Sequence, residues 1–273
     1  MPLTFQLRES SSIPIEVDSL QLDVLKMQSL DDVKATLVQR GNRQHPVSDF
    51  FDVVGSAEDN ELVFVGDCSK VKLIGTKLAS GRIRVEGHAG MHLGAEMTGG
   101  EIIVSGNAGD WVGAEMHGGT ITVKGNAGHL VGAVYRGGFK GMTGGEIFIH
   151  GDAGNEIGHG MRRGLIAVGG KSGDVPGVNM IAGTILLFGE PGIRPAPNLK
   201  RGTIAYFDLN QSPEVLPSFK FAGQQKPTWL AIYLKHLQQQ GFPLPDGIFD
   251  ASYRSYRGDF LELGKGEVLI RCA

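Results

Sequence analysis

The chain has 273 residues, of which 42 are glycine, and a formal net charge of −3. That length can bury a large core in one or two domains, and the near-balanced charge, with no basic run, gives no electrostatic ground for binding nucleic acid or an anionic membrane. No apolar stretch is long enough to cross a bilayer, the opening MPLTFQLRES lacks the regions of a secretory signal, and Cys68 and Cys272 form no metal or redox motif. The expectation is a cytoplasmic protein with free thiols.

The first residues are not repetitive. Leu3–Leu7 alternates apolar and polar side chains, as a half-buried strand does. Ser29-Leu-Asp-Asp32 reads as an N-cap with acids in the first turn, followed by Leu30, Val33 and Leu37 on one face of a short helix ending before Gly41. Phe50–Val54 reads as a strand stopped by Gly55. Residues 1–60 are expected to cap the open end of a solenoid that begins at residue 61, because an uncovered solenoid end exposes apolar side chains and unpaired backbone groups.

From residue 61 to 207 one phrase recurs, cleanest as GEIIVSGNAGDWVG starting at Gly100. Its leading glycines are Gly81, Gly100, Gly119, Gly145, Gly164, Gly183 and Gly202, so the steps are 19, 19, 26, 19, 19 and 19 residues. A fixed period near 20 predicts a solenoid. Two and four residues after each leading glycine stand Ile83/Val85, Ile102/Val104, Ile121/Val123, Ile147/Ile149, Ile166/Val168, Ile185/Leu187 and Ile204/Tyr206. Alternation places each pair on one strand face, as layers of a shared core. Ala89/Leu93, Ala108/Val112, Ala127/Val131 and Ala153/Ile157 make a second inward set. Five of the eight methionines fall three residues before a leading glycine, which predicts a packing column rather than a ligand set. The glycines six, nine and thirteen residues into each phrase are expected at corners, for positive φ or close approach between coils, and Asn107, Asn126 and Asp152 to satisfy corner backbone groups. Residues 208–273 form a tail in which Thr228–Gln240 reads as a helix with Trp229, Tyr233 and Leu237 in one stripe.

Candidate functional residues are few. No catalytic triad, phosphate loop or cysteine cluster is present, so no catalytic or cofactor-binding residue is assigned. Asp110, His129, Asn155 and Asp174 occupy one register on successive coils and are the metal candidates; the competing expectation is that they are polar corner residues. The seven extra residues between Gly132 and Gly145 are a stronger candidate, because insertions in solenoids make loops on one face. Val134, Tyr135, Arg136, Phe139 and Lys140 supply aromatics and cations of the types enriched at interface anchors. Ile103, Phe148, Leu186 and Phe188 should point away from the core and offer apolar surface to a partner chain. Arg162 and Arg163 are expected either to pair with acids of a partner or to stay solvated.

The phrase G-x-I-x-V-x-G-x-A-G-x-x-x-G resembles the GxGxG domain found at the C-terminus of the glutamate synthase large subunit and in the C subunit of formylmethanofuran dehydrogenases. The resemblance covers roughly residues 48–207 and implies a mainly β fold, a right-handed parallel β-helix of about 19 residues per coil. Ser48–Gly55 and the insertion Tyr135–Gly145 are similar to the dehydrogenase branch of that family. Met161–Gly164, Met180–Thr184 and the tail Tyr256–Ile270 are similar to its bacterial counterpart in the formyltransferase/hydrolase complex of methylotrophs. The resemblance implies a non-catalytic scaffold subunit that holds an amidohydrolase-like A subunit, a dehydrogenase-like B subunit and a formyltransferase D subunit. The complex would use a methanofuran-type carrier and tetrahydromethanopterin, with metal in the hydrolase subunit and no cofactor in this chain. The alternatives are the C subunit of a tungsten or molybdenum formylmethanofuran dehydrogenase, a glutamate synthase-like domain, and a stand-alone metal-binding solenoid.

Overall fold

In the computed structural model, which describes residues 1–9 and 12–272, each glycine-led phrase forms one short strand. Each strand pairs in parallel with the equivalent strand one coil on, and the register follows the period. Ile83 lies opposite Ile102, Ile102 opposite Ile121, and the column continues through Ile147, Ile166 and Ile185 to Ile204. The extra residues after Gly132 do not shift it, since Ile121 still faces Ile147. A second, thinner ladder runs through isolated parallel bridges from Cys68 through Ala89, Ala108, Ala127 and Ala153 to Ser172. The chain is therefore mainly β, with stacked coils and few helices.

The inward residues are buried as the alternation requires. Every isoleucine of the column from Ile102 to Ile204 has no exposed surface. Complete burial of such a side chain contributes about 1.5–3 kcal/mol, repeated at every layer. Met97, Met116, Met142, Met161 and Met180 are equally buried. Their methyl groups fill the space beside leading glycines: a Cβ added at Gly119 would lie 2.5 Å from Met97 Cε, and one at Gly145 2.7 Å from Met116 Cε. Cys68 joins the second ladder, and burial, with a smaller effect of Asp67, pushes its thiol up to about 12, so it is an inert packing group.

The corner glycines divide into two kinds. Gly113, thirteen residues into its phrase, has φ +62° and faces Ile147 Cδ1 of a later coil. Gly109, nine residues in, has no positive φ; its requirement is proximity, because a Cβ there would lie 2.9 Å from Met91 N. Other left-handed corner residues are not glycines at all. Trp111, Leu130 and Glu156 have φ of 66°, 65° and 60°. Each is held by a bond from its N–H to the next coil, to His129 O (2.8 Å), Asn155 O (2.9 Å) and Asp174 O (2.9 Å) respectively.

Both ends of the stack are closed by the chain itself. Leu3–Leu7 pairs in parallel with the first coil strand, Glu61–Val65, and antiparallel with Phe51–Val54. Phe5 stacks on Phe64 at 5.0 Å and Phe51 packs edge-on against both. A small sheet of Ile15–Glu16, Leu37–Arg40, Arg43–Pro46 and Val71–Lys72 lies beside them. Ser29 caps Leu30–Ala35 as expected, accepting from Asp32 N at 3.2 Å. The helix stops sooner than expected: Leu37 is half exposed and already begins a strand, because its segment pairs with Arg43–Pro46. At the far end Lys265–Arg271 adds in parallel to Arg201–Tyr206, burying Val268 and Ile270 on the inner face, and Tyr253–Gly258 and Lys220–Gln225 extend the sheet antiparallel.

Candidate functional site

The inserted loop leaves and rejoins the coils through backbone bonds. Val134 N donates to His159 O (3.0 Å), Gly141 N to Gly160 O (2.9 Å), and Met142 N returns to Gly132 O (2.9 Å). Its base is anchored. Val134 is buried, Tyr135 N donates to Glu115 Oε1 (3.0 Å), and the Tyr135 ring stacks on Trp111 at 4.9 Å. Tyr135 Oη lies 3.0 Å from His92 Nδ1, so the loop clamps the corners of two earlier coils. Burial, reinforced by Glu96 and Glu115, pushes the Tyr135 phenol up to about 12. Burial, then nearby Lys72, lowers the His92 imidazole below its ordinary value. The tip is free: Phe139 is 90% exposed, with exposed Arg136 and Lys140 beside it. Tyr135 thus serves the fold, while Phe139, Arg136 and Lys140 face solvent.

The metal candidates form a hydrogen-bond ladder. Asp110 Oδ1 accepts from His129 N (2.7 Å), His129 Nδ1 from Asn155 N (2.9 Å), Asn155 Oδ1 from Asp174 N (3.0 Å) and Asp174 Oδ1 from Ile193 N (3.1 Å). A parallel ladder runs from His88 through Asn107 and Asn126 to Asp152 and ends on Lys171 N. In each case an acceptor atom that could have faced an ion is committed to a backbone N–H of the next coil. Among the described residues no group of three or more His, Cys, Asp or Glu has metal-binding geometry. His88 and His92, four apart in sequence, serve different structures: His88 caps Asn107 N, and His92 belongs to the aromatic clamp.

The outward apolar residues require a correction. Phe148, Leu186 and Phe188 do point away from the coil interior, but they are 2%, 0% and 7% exposed. With Leu165, Ala167, Ala205 and Phe207 they form a second core, covered by the chain's own helix Thr228–Gln239 through Leu230, Leu234 and Leu237. Trp229 and Tyr233 flank that stripe rather than forming it. His236 Nε2 is 2.8 Å from Glu146 Oε2 and ties the helix to the sheet. The surface expected to await a partner is thus occupied by the tail. The signal was available in Leu165, Ala167, Ala205 and Phe207, whose outward positions are also apolar, beside an amphipathic helix of matching length. Ile103, farther back in the stack, stays partly exposed among Arg84 and Thr122.

These features define a glycine-cornered solenoid whose polar residues are spent on coil-to-coil bonding and whose unspent groups lie on its surface. The chain belongs to the GXGXG motif family, whose model matches residues 68–215. It is similar to the C subunit of a molybdenum-containing formylmethanofuran dehydrogenase from Methanothermobacter marburgensis, 42% identical over 83 residues, which are 30% of this chain and 21% of that protein. It is also similar to the C subunit of a tungsten-containing formylmethanofuran dehydrogenase from Methanothermobacter wolfeii, 37% identical over 92 residues, which are 32% of this chain and 34% of that protein. The matched stretch therefore spans only a fifth to a third of these curated relatives. A solved chain of the formyltransferase/hydrolase complex (FhcABCD) from Methylorubrum extorquens, in complex with methylofuran, superposes with a TM-score of 0.89 at 30% identity over 98% of both chains. No helix among the described residues is long and apolar enough to cross a membrane.

Proposed function

We propose that the chain is the C subunit of a formyltransferase/hydrolase-type complex and acts there as a scaffold. The observation that carries this reading is coverage: the likeness to a chain of the Methylorubrum extorquens complex extends over 98% of both chains and so takes in the tail, whereas the dehydrogenase relatives match about a third of this chain. On this reading residues 1–60 are the cap, 61–207 a right-handed β-helix and 208–273 the tail that closes it. Right-handed winding agrees with the general preference of parallel crossovers. The partners are an amidohydrolase-like A subunit, a dehydrogenase-like B subunit and a formyltransferase D subunit. The methanofuran-type carrier, tetrahydromethanopterin and the hydrolase metal belong to those partners. The ladders support this division, since the solenoid's regular polar side chains are occupied in holding coils together.

The loop tip around Phe139, with Arg136 and Lys140, is the first contact we assign, with Tyr135 as its anchor and Ile103 a lesser apolar contribution. Co-expression with the three partner subunits followed by native mass spectrometry tests the reading. A stable four-component assembly is expected, with Phe139→Ala weakening it about tenfold, as truncation of an aromatic anchor does. A chain that remains monomeric in the presence of all three partners would overturn the assignment. Co-purification with an iron–sulfur subunit would move it to the dehydrogenase alternative.

A further inference from the structure

One corner of the late coils carries charges that the repeat does not require. The two residues preceding a leading glycine are Thr98-Gly99, His117-Gly118 and Thr143-Gly144 in the middle coils. In the next three they are Arg162-Arg163, Ile181-Ala182 and Lys200-Arg201. Together with Gly183 and Leu263 these last six line an open notch of about 490 Å³. Coils stack about 4.8 Å apart, so the two basic pairs stand roughly 10 Å from each other across a floor of Ile181, Ala182 and Gly183. Lys265 extends the cluster, lying directly opposite Arg201 in the parallel pair between Arg201–Tyr206 and Lys265–Arg271.

Among the described residues, the side chains of Arg162, Arg163, Arg201 and Lys265 make no hydrogen bond or ion pair. Lys200 reaches one carboxylate, Glu262, at 4.0 Å. On the first strands of the long sheet, by contrast, Arg8 pairs with Asp52, Arg82 with Glu101, and Arg84 with Glu61 and Glu86. A protein of net charge −3 that gathers five cations around one concavity, four of them unpaired among the described residues, has concentrated positive potential there. One side of the lining is apolar and open: Leu263 is 52% exposed.

We propose that this notch seats an extended, carboxylate-rich segment of a partner subunit, with an apolar residue of that segment resting on Leu263. Alternate side chains of an extended strand repeat about every 7 Å, a spacing that long arginine and lysine arms span from both walls. The inference rests on the complex-subunit reading above but assigns a different surface from the Phe139 loop.

The test uses the co-expressed complex. Zero-length carbodiimide coupling should join Lys200 or Lys265 to a carboxylate of a partner chain, identified by peptide mass spectrometry. The double reversal Arg162→Glu/Arg163→Glu should weaken assembly about tenfold or more, in a salt-dependent way, whereas Lys70→Glu, a reversal near the capped end, should not. If the reversal disturbs folding, Arg162→Gln/Arg163→Gln and the coupling of the unaltered chain carry the test. Coupling confined to Glu262, or assembly indifferent to the reversal, overturns the proposal while leaving the subunit reading intact. Co-sedimentation with phosphatidylserine vesicles that the reversal abolishes overturns it in favour of a lipid surface. Failure of the unaltered chain to assemble overturns both.

Discussion

The inner faces of the early and late coils are nearly identical, and their outer faces are not. In the early coils the outward positions are mostly charged or hydroxylated, Ile103 excepted: Arg82 pairs with Glu101 at 2.7 Å, Arg84 with Glu61 at 2.9 Å, and Thr120 and Thr122 continue the polar face. From Phe148 onward most of them turn apolar, Thr184 and Thr203 excepted, and a helix from the tail lies across them. The repeat constrains the interior because every layer must match the ones above and below it. The exterior carries no such constraint, so it can pair charges in water at one end and bury a second core at the other. Glu146 stands at the boundary, and His236 reaches it from the helix at 2.8 Å.

Placing a charge on each face separates the two regimes most sharply. Leu234→Asp buries a carboxylate in the second core and is expected to cost about 3–5 kcal/mol. Thr122→Asp on the early face should change stability by less than about 0.5 kcal/mol. Urea unfolding measures both, and hydrogen exchange should show the helix released in the first variant alone. An equal cost at both positions would erase the distinction. The shared interior predicts the opposite pattern: Gly113→Ala and Gly177→Ala, at φ +62° and +72° and each facing an isoleucine methyl of a later coil, should lose similar amounts, about 1–3 kcal/mol. A large difference between them would mean that the two halves are not built alike within.

The corner ladders supply a smaller effect. Asn126→Ala removes the acceptor of Asp152 N and should cost about 1 kcal/mol, with faster exchange at that amide. Acid sensitivity should appear in both halves. Burial lowers the imidazole of His92 in the early coils, with Lys72 adding to it, and that of His150 in the late ones, with Lys124 adding to it, from the ordinary 6.5. A folded-state value below the unfolded one means that the folded chain binds fewer protons. The associated stability is therefore fully present above pH 6.5 and declines as pH falls through that value. Thermal unfolding measured from pH 7.5 to 5 should show this decline, and His92→Phe together with His150→Phe should flatten it. A profile unchanged by the double substitution would place the acid sensitivity elsewhere.

Most of the interior was legible because a solenoid is a one-dimensional problem. The 19-residue period, the Ile/Val pairs, the methionine column and the 26-residue step could all be read along the chain, and the parallel registers from Ile83 to Ile204 agree with them. The corner ladders were half legible: Asn107 and Asn126 were recognisable as corner residues, but Asp110 and His129 resembled ligands until their acceptors were seen bonded to the next coil. The outward apolar residues were the failure. Alternation shows that Phe148 and Phe188 leave the coil interior, but it is silent about what lies outside.

By itself, then, the sequence determined the repeat, its strand faces, its packing columns and the location of its interruption, because each depends on spacing within one coil or between identical coils. Only the tertiary structure decided that the tail helix covers the late outer face and that Tyr135 is spent on clamping Trp111 and His92. It also decided that Arg162, Arg163, Lys200 and Arg201 converge on one open notch. Those outcomes depend on contacts between segments that share no period, and chain spacing carries no information about where a non-repeating segment comes to rest.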